Sequence, residues 1–190
     1  MRALAILAVY IGAIAPVGAT TLQQLSLGEM AEQSTAIIRA RVLGGKAMLR
    51  GGDVYTVYQL ETLESLKTPR RRVGVQELTV PGGVAAGIRQ VMPGAPELRV
   101  GSEYVLFLWT GRSGSKQLTG LSQGLFSVRA ETSGKDPLVT RVAAGERMLD
   151  GSGRPVRDAA LALRWSELKA QVTRTLQSRS LAAGAVAGSR

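Results

Sequence analysis

Residues 98–128 read LRVGSEYVLFLWTGRSGSKQLTGLSQGLFSV. Inside this stretch Tyr104, Val105, Leu106, Phe107, Leu108 and Trp109 form an apolar run without interruption. Its aromatic and β-branched content, with polar turns on both sides, predicts a central strand buried on both faces. The turn Gly111-Arg112-Ser113-Gly114-Ser115-Lys116 follows. Two short strands, near residues 116–118 and 124–129, return alongside.

Working back towards the N-terminus, residues 54–66 (VYTVYQLETLESL) alternate as a long strand. Thr56, Tyr58, Leu60 and Thr62 share one face, and Val57, Gln59 and Glu61 the other. Leu63 and Leu66 break the period, so a bulge or bend is expected near Thr62. Residues 35–43 alternate as a half-buried strand, with Ile38, Ala40 and Val42 inward and Arg39 and Arg41 outward. The glycine pairs in residues 44–53 (GGKAMLRGGD) read as a loop. Residues 73–80 make another strand, and residues 88–92 an irregular one. Residues 136–147 read as a further hairpin.

Two helices flank these strands. Residues 22–33 contain Ser26 and Glu29 at capping-box spacing, with Leu25, Met30 and Ala31 facing the core. A second helix is expected over residues 158–179, starting at Asp158. Leu161, Trp165, Leu168, Val172 and Leu176 form its single apolar stripe. Residues 151–157 read as a linker and residues 180–190 as a disordered tail. The whole predicts a mainly β fold: a partly open antiparallel β-barrel, OB-like, with flanking helices, or alternatively a β-sandwich.

The start of the chain carries an export signal. Met1-Arg2 is positive, residues 3–15 are apolar without charge, and Val17-Gly18-Ala19 supplies small residues at a cleavage site. Cleavage is expected between Ala19 and Thr20. The apolar run is shorter than the roughly 20 residues that span a bilayer. The expected domain of residues 20–150 is thus periplasmic or extracellular.

Composition narrows the chemistry. The chain has 190 residues, a formal charge of +10, and no cysteine, histidine or asparagine. A zinc or copper centre lacks its usual ligands, and triads built on histidine are excluded. No cofactor is expected. Serine with lysine remains the one conventional nucleophile, and Ser113 with Lys116 is the nearest pair. A polar surface turn is a poor place to desolvate that lysine. Glu61 and Glu64 would fall on opposite strand faces unless a bulge intervenes. Asp53, Asp136, Asp150 and Asp158 are too scattered for a calcium loop.

Three features remain as candidate binding elements. Lys67, Arg70, Arg71 and Arg72 form the densest basic cluster and could hold an anion, although no aromatic interleaves them. Three rigid loops could gather at one end of the barrel as a partner-binding surface. They carry Pro81, Gly82 and Gly83; Pro93 and Gly94; and Gly120 and Gln123. Trp109, Tyr55 and Tyr58 could line a groove, with core packing the stronger expectation for Trp109 and for Trp165.

Residues 25–42, 53–67, 77–83, 93–109 and 120–128, taken in order, resemble a group of small exported bacterial β-domain proteins of unassigned activity. The strand plan is more loosely similar to the OB-like barrel of netrin-type and metalloproteinase-inhibitor domains. Those domains reach a metal through an N-terminal cysteine. This chain has none, so that mechanism does not transfer. The reading that follows is an exported non-catalytic module for a protein or cell-envelope partner. A binder of anionic polymers is the alternative, and a hydrolase the third.

Overall fold

The central strand organises what surrounds it. In a computed structural model describing residues 21–68, 74–130 and 136–187, Glu103–Thr110 (β7) lies inside the largest sheet. Tyr104, Leu106 and Leu108 pack into one core cluster, and Val105 and Phe107 into another on the opposite face. The apolar run is therefore buried on both sides, as its composition requires. Trp109 departs from the expectation and is 40% exposed. It follows Phe107 on the same face, and the covering cluster ends at Phe107.

Ala36–Arg50 (β2) and Asp53–Lys67 (β3) form one long antiparallel hairpin. The expected loop over residues 44–53 is therefore mostly strand, and only Gly51-Gly52 turns. Both have positive φ, +62° and +92°, a backbone that glycine adopts without penalty. The bend expected near Thr62 is present. Arg39 faces Glu64 and Ala40 faces Thr62, which leaves Leu63 unopposed.

Val75–Pro81 (β4), Ile88–Gln90 (β6), Lys116–Leu118 (β8) and Leu125–Arg129 (β9) follow the expected order, and Gly83–Ala85 (β5), outside any expected strand, pairs with β6. Leu138–Arg141 (β10) pairs with β9 and with Leu161–Arg164 (β13). The main sheet then runs β13-β10-β9-β7-β2-β3-β4, with β8 on β7. β4 leans beside β8 without a ladder between them, so the sheet curls yet stays open. The fold is mainly β with a short N-terminal and a longer C-terminal helix, and no barrel closes.

Arg147–Leu149 (β11) pairs in parallel with Thr21–Gln23 (β1) and antiparallel with Pro155–Val156 (β12). Residues 136–147 are thus not a hairpin, because β10 and β11 belong to different sheets. The stretch read as a linker contributes β12 to the small sheet.

Both helices cover the face that carries Ile37, Val105 and Phe107. Leu27–Gln33 (α1) begins at the predicted capping box: the Glu29 carboxylate accepts from Ser26 N at 2.8 Å, and Ser26 Oγ accepts from Glu29 N at 3.2 Å. Trp165–Ala187 (α2) buries Trp165, Leu168 and Val172 along the predicted stripe. It starts at Trp165 rather than at Asp158, because residues 161–164 are taken up by the β10 ladder. It also extends to Ala187, through much of the stretch expected to be disordered. Among the described residues, no helix is long and apolar enough to cross a membrane. The expected signal peptide and the Ala19–Thr20 cleavage site lie outside the described residues.

Candidate functional site

The face opposite the helices is closed by loops. Residues 91–102 cross it and are held from beneath by two tyrosines. The Tyr58 hydroxyl accepts from Leu98 N at 3.2 Å, and the Tyr104 hydroxyl from Arg99 N at 3.1 Å. Burial pushes the Tyr58 hydroxyl pKa up, against the opposing Leu98 N–H. Leu98 itself is buried beneath this loop.

The β5–β6 hairpin stands beside this loop. Gln90 Oε1 accepts from Val54 N at 2.6 Å, and Thr56 Oγ1 donates to Gly82 O at 2.8 Å. A cavity of about 490 Å³ opens between hairpin and loop. Pro81, Gly82 and Gly83 form one wall and Ala95 and Pro96 another, with Tyr58 between them. Tyr55 and Trp109 do not line it. Its rim is apolar and wet: Val84 is 55% exposed, Val91 76%, Met92 37% and Val100 65%. Scattered exposed apolar residues are ordinary, but four at one cavity mouth form a patch. Arg89 and Glu97 supply charge at the same mouth.

On the other side of residues 94–96 lies a second groove of about 330 Å³. Gly94, Ala95 and Pro96 face Ser122 and residues 142–146 across a floor of Leu125, Ser127 and Thr140. The three glycine- and proline-rich loops are therefore neighbours, with Ala95 and Pro96 shared between the two openings. Gly120 and Gln123 line neither opening. Gln123 is buried and structural: its Oε1 accepts from Leu25 N at 2.8 Å, and its Nε2 donates to Gln23 O at 2.9 Å. Pro93 lines neither opening.

The remaining candidates are held in contacts that the fold itself uses. Lys67 Nζ donates to Ala31 O at 2.7 Å and Glu32 O at 3.1 Å, which satisfies carbonyls near the end of α1. Burial lowers its pKa, helped by Arg179 nearby. Arg70, Arg71 and Arg72 lie outside the described residues. The bulge at Leu63 brings Glu61 and Glu64 to one face, where basic partners take both. Arg41 bonds Glu61 at 3.3 Å and Glu103 at 2.7 Å, while Arg39 also bonds Glu103 at 2.7 Å. Glu64 accepts from Lys169 at 3.0 Å and from Trp165 Nε1 at 3.0 Å. Lys169 and Arg39 lie 5.5 Å and 6.0 Å from the Trp165 ring centre.

Ser113 Oγ is bonded to Ser115 Oγ at 2.9 Å in an exposed turn. Of the aspartates, Asp53 accepts from Gln90 Nε2 at 3.2 Å, and Asp136 from Ser166 N at the start of α2. Asp150 organises its own turn, where hydrogen bonds led by the Ser152 hydroxyl depress its pKa to about 2. Among the described residues, no group of three carboxylates could hold a metal ion.

Asp158 is the largest departure from the sequence reading. Its side chain is 1% exposed and bonds Arg141 Nη2 at 2.7 Å and Ala144 N at 2.8 Å. Burial opposes its charge, and the Ala144 N–H and the Arg141 guanidinium outweigh it, so its pKa falls. The sequence reading also missed the exposed rim of the first cavity. The available signal was two large apolar residues, Val91 and Met92, set directly before Pro93 in a loop.

No protein-family model matches this chain, and no curated protein matches it either.

Proposed function

We propose that this is an exported, non-catalytic binding module. Its first cavity receives an apolar side chain from an extended segment of a protein partner. The observation that carries this reading is the exposed quartet Val84, Val91, Met92 and Val100 around a cavity with braced walls. Water contact at those side chains is unfavourable, and an apolar anchor would remove it. A volume near 490 Å³ suits an anchor larger than a methyl group. Arg89 and Glu97 at the mouth offer one pairing each for charged or polar groups beside the anchor. The N-terminal pattern of residues 1–19 supports export, which would place the partner in the envelope or outside the cell.

The test is a partner capture that depends on this rim. Mature protein and its Val91→Asp/Val100→Asp variant are exposed to the source organism's envelope extract at low and high salt. The captured partner is identified, purified and titrated. Retention at both salt levels, weakened about tenfold or more in the variant, supports the reading. Retention of polyanions only at low salt, equal in both proteins, would replace it with electrostatic binding to anionic polymers.

A further inference from the structure

Buried polar side chains in folded proteins nearly always have partners, and those that lack them call for an explanation. Among the described residues, four buried side-chain atoms have no protein partner: Ser122 Oγ, Arg141 Nε, Arg141 Nη1 and Glu146 Oε2. They belong to three residues, and all three line the 330 Å³ groove between residues 94–96 and 142–146. Among the described residues no other buried side-chain atom lacks a partner, so the meeting of Ser122 and Glu146 at one groove is informative.

The chemistry of Ser122 and Glu146 is complementary. Arg141 is neutralised by Asp158, which leaves Glu146 as the groove's net charge. Among the described residues, its carboxylate has no cationic neighbour within salt-bridge distance. Gly94 makes room for it: a Cβ built on Gly94 would lie 3.0 Å from Glu146 Cδ, and φ of +79° also favours glycine there. One of the Glu146 carboxylate oxygens, Oε2, is buried without a partner, and an ammonium group is the natural complement to it. Ser122 Oγ asks for an acceptor close by, whereas the Arg141 side chain leaves its strand on the face of Val139 and Leu161, away from the groove floor.

We infer that this groove binds a small molecule presenting an ammonium group next to a carbonyl or carboxylate, such as a free amino acid or the amino end of a short peptide. Glu146 takes the ammonium, and Ser122 donates to the neighbouring oxygen. The site is distinct from the apolar cavity and does not depend on it, although Ala95 and Pro96 wall both.

The dipeptide Ala-Ala and its N-acetylated form are the probes, titrated by calorimetry into the full mature chain at pH 7. Saturable binding of Ala-Ala is expected, with little or none for the acetylated form. Glu146→Gln, which keeps shape and removes charge, weakens binding by about tenfold or more, the worth of one charge-assisted hydrogen bond. Ser122→Ala weakens it less, and Val91→Asp leaves it unchanged. Equal binding of the two probes, or an undiminished affinity in Glu146→Gln, would overturn the assignment. So would an absence of binding by natively folded protein, which would leave the groove filled by water alone. Circular dichroism of each variant establishes that a lost signal is not a lost fold.

Discussion

The two faces of the sheet are finished to different degrees. On the helix face, Phe107 and Phe126 lie 5.6 Å apart beneath α1 and α2, and the outward charges pair with one another. On the loop face, apolar side chains stand in water around one cavity, and unpartnered polar atoms gather at the next. A surface that satisfies itself contributes stability. One that does not is where an outside molecule would complete it. Substitutions on the first face should therefore cost folding, and those on the second should cost binding.

Phe107→Ala should be the most damaging change, because Phe107 is fully buried under the helices. Loss of about 3–5 kcal/mol in denaturant unfolding is expected. A loss below 1 kcal/mol would mean that the helix cover is loose. Asp158→Ala should cost about 3 kcal/mol, since it strands the buried Arg141 guanidinium. Replacing both residues with leucine should recover most of that loss if the pair, rather than the site's shape, carries it.

Acid should act through the same depressed carboxylates. Burial alone would raise the Asp158 and Glu103 pKa values, but their hydrogen bonds and arginine partners lower both. The unfolded chain therefore takes up these protons first as pH falls. Their stabilising contribution is whole above the unfolded value of about 4 and disappears as pH drops through the lower folded values. A Tm series between pH 6 and pH 2 should show the decline setting in below pH 4, and Asp158→Leu/Arg141→Leu should flatten it.

Lys67→Met should cost about 0.5–1 kcal/mol by freeing carbonyls near the end of α1. Val91→Asp sits at the small end. At 76% exposure it should alter stability by less than about 0.5 kcal/mol while weakening the partner complex.

How much of this was legible in the sequence follows from how local each signal is. The capping box, the bend near Thr62, the apolar run of β7 up to Leu108 and the stripe of α2 from Trp165 need only a few consecutive residues, and they read correctly. Gly44-Gly45 misled because its reason is remote. A Cβ on Gly45 would fall 2.9 Å from the Tyr58 ring across the hairpin, so the glycine belongs to a strand. Leu161 fitted the helical stripe at a spacing of four, but β10 offered an edge that residues 161–164 could pair with. The loop candidates were visible as Gly- and Pro-rich segments, and two shared walls emerged from them. Val100, Ser122 and Glu146 were not visible as site residues, because their meaning depends on neighbours from distant parts of the chain.

The most direct measurement is site-specific photo-crosslinking that samples both faces. A photoreactive residue is placed at Val91 on the cavity rim or at Leu181, which is 75% exposed on α2. Both proteins meet the same envelope extract. One identified protein crosslinked from Val91, and not from Leu181, is the predicted result. Crosslinking of that protein from Leu181 alone, or equally from both positions, would contradict the assignment of the loop face as the binding surface.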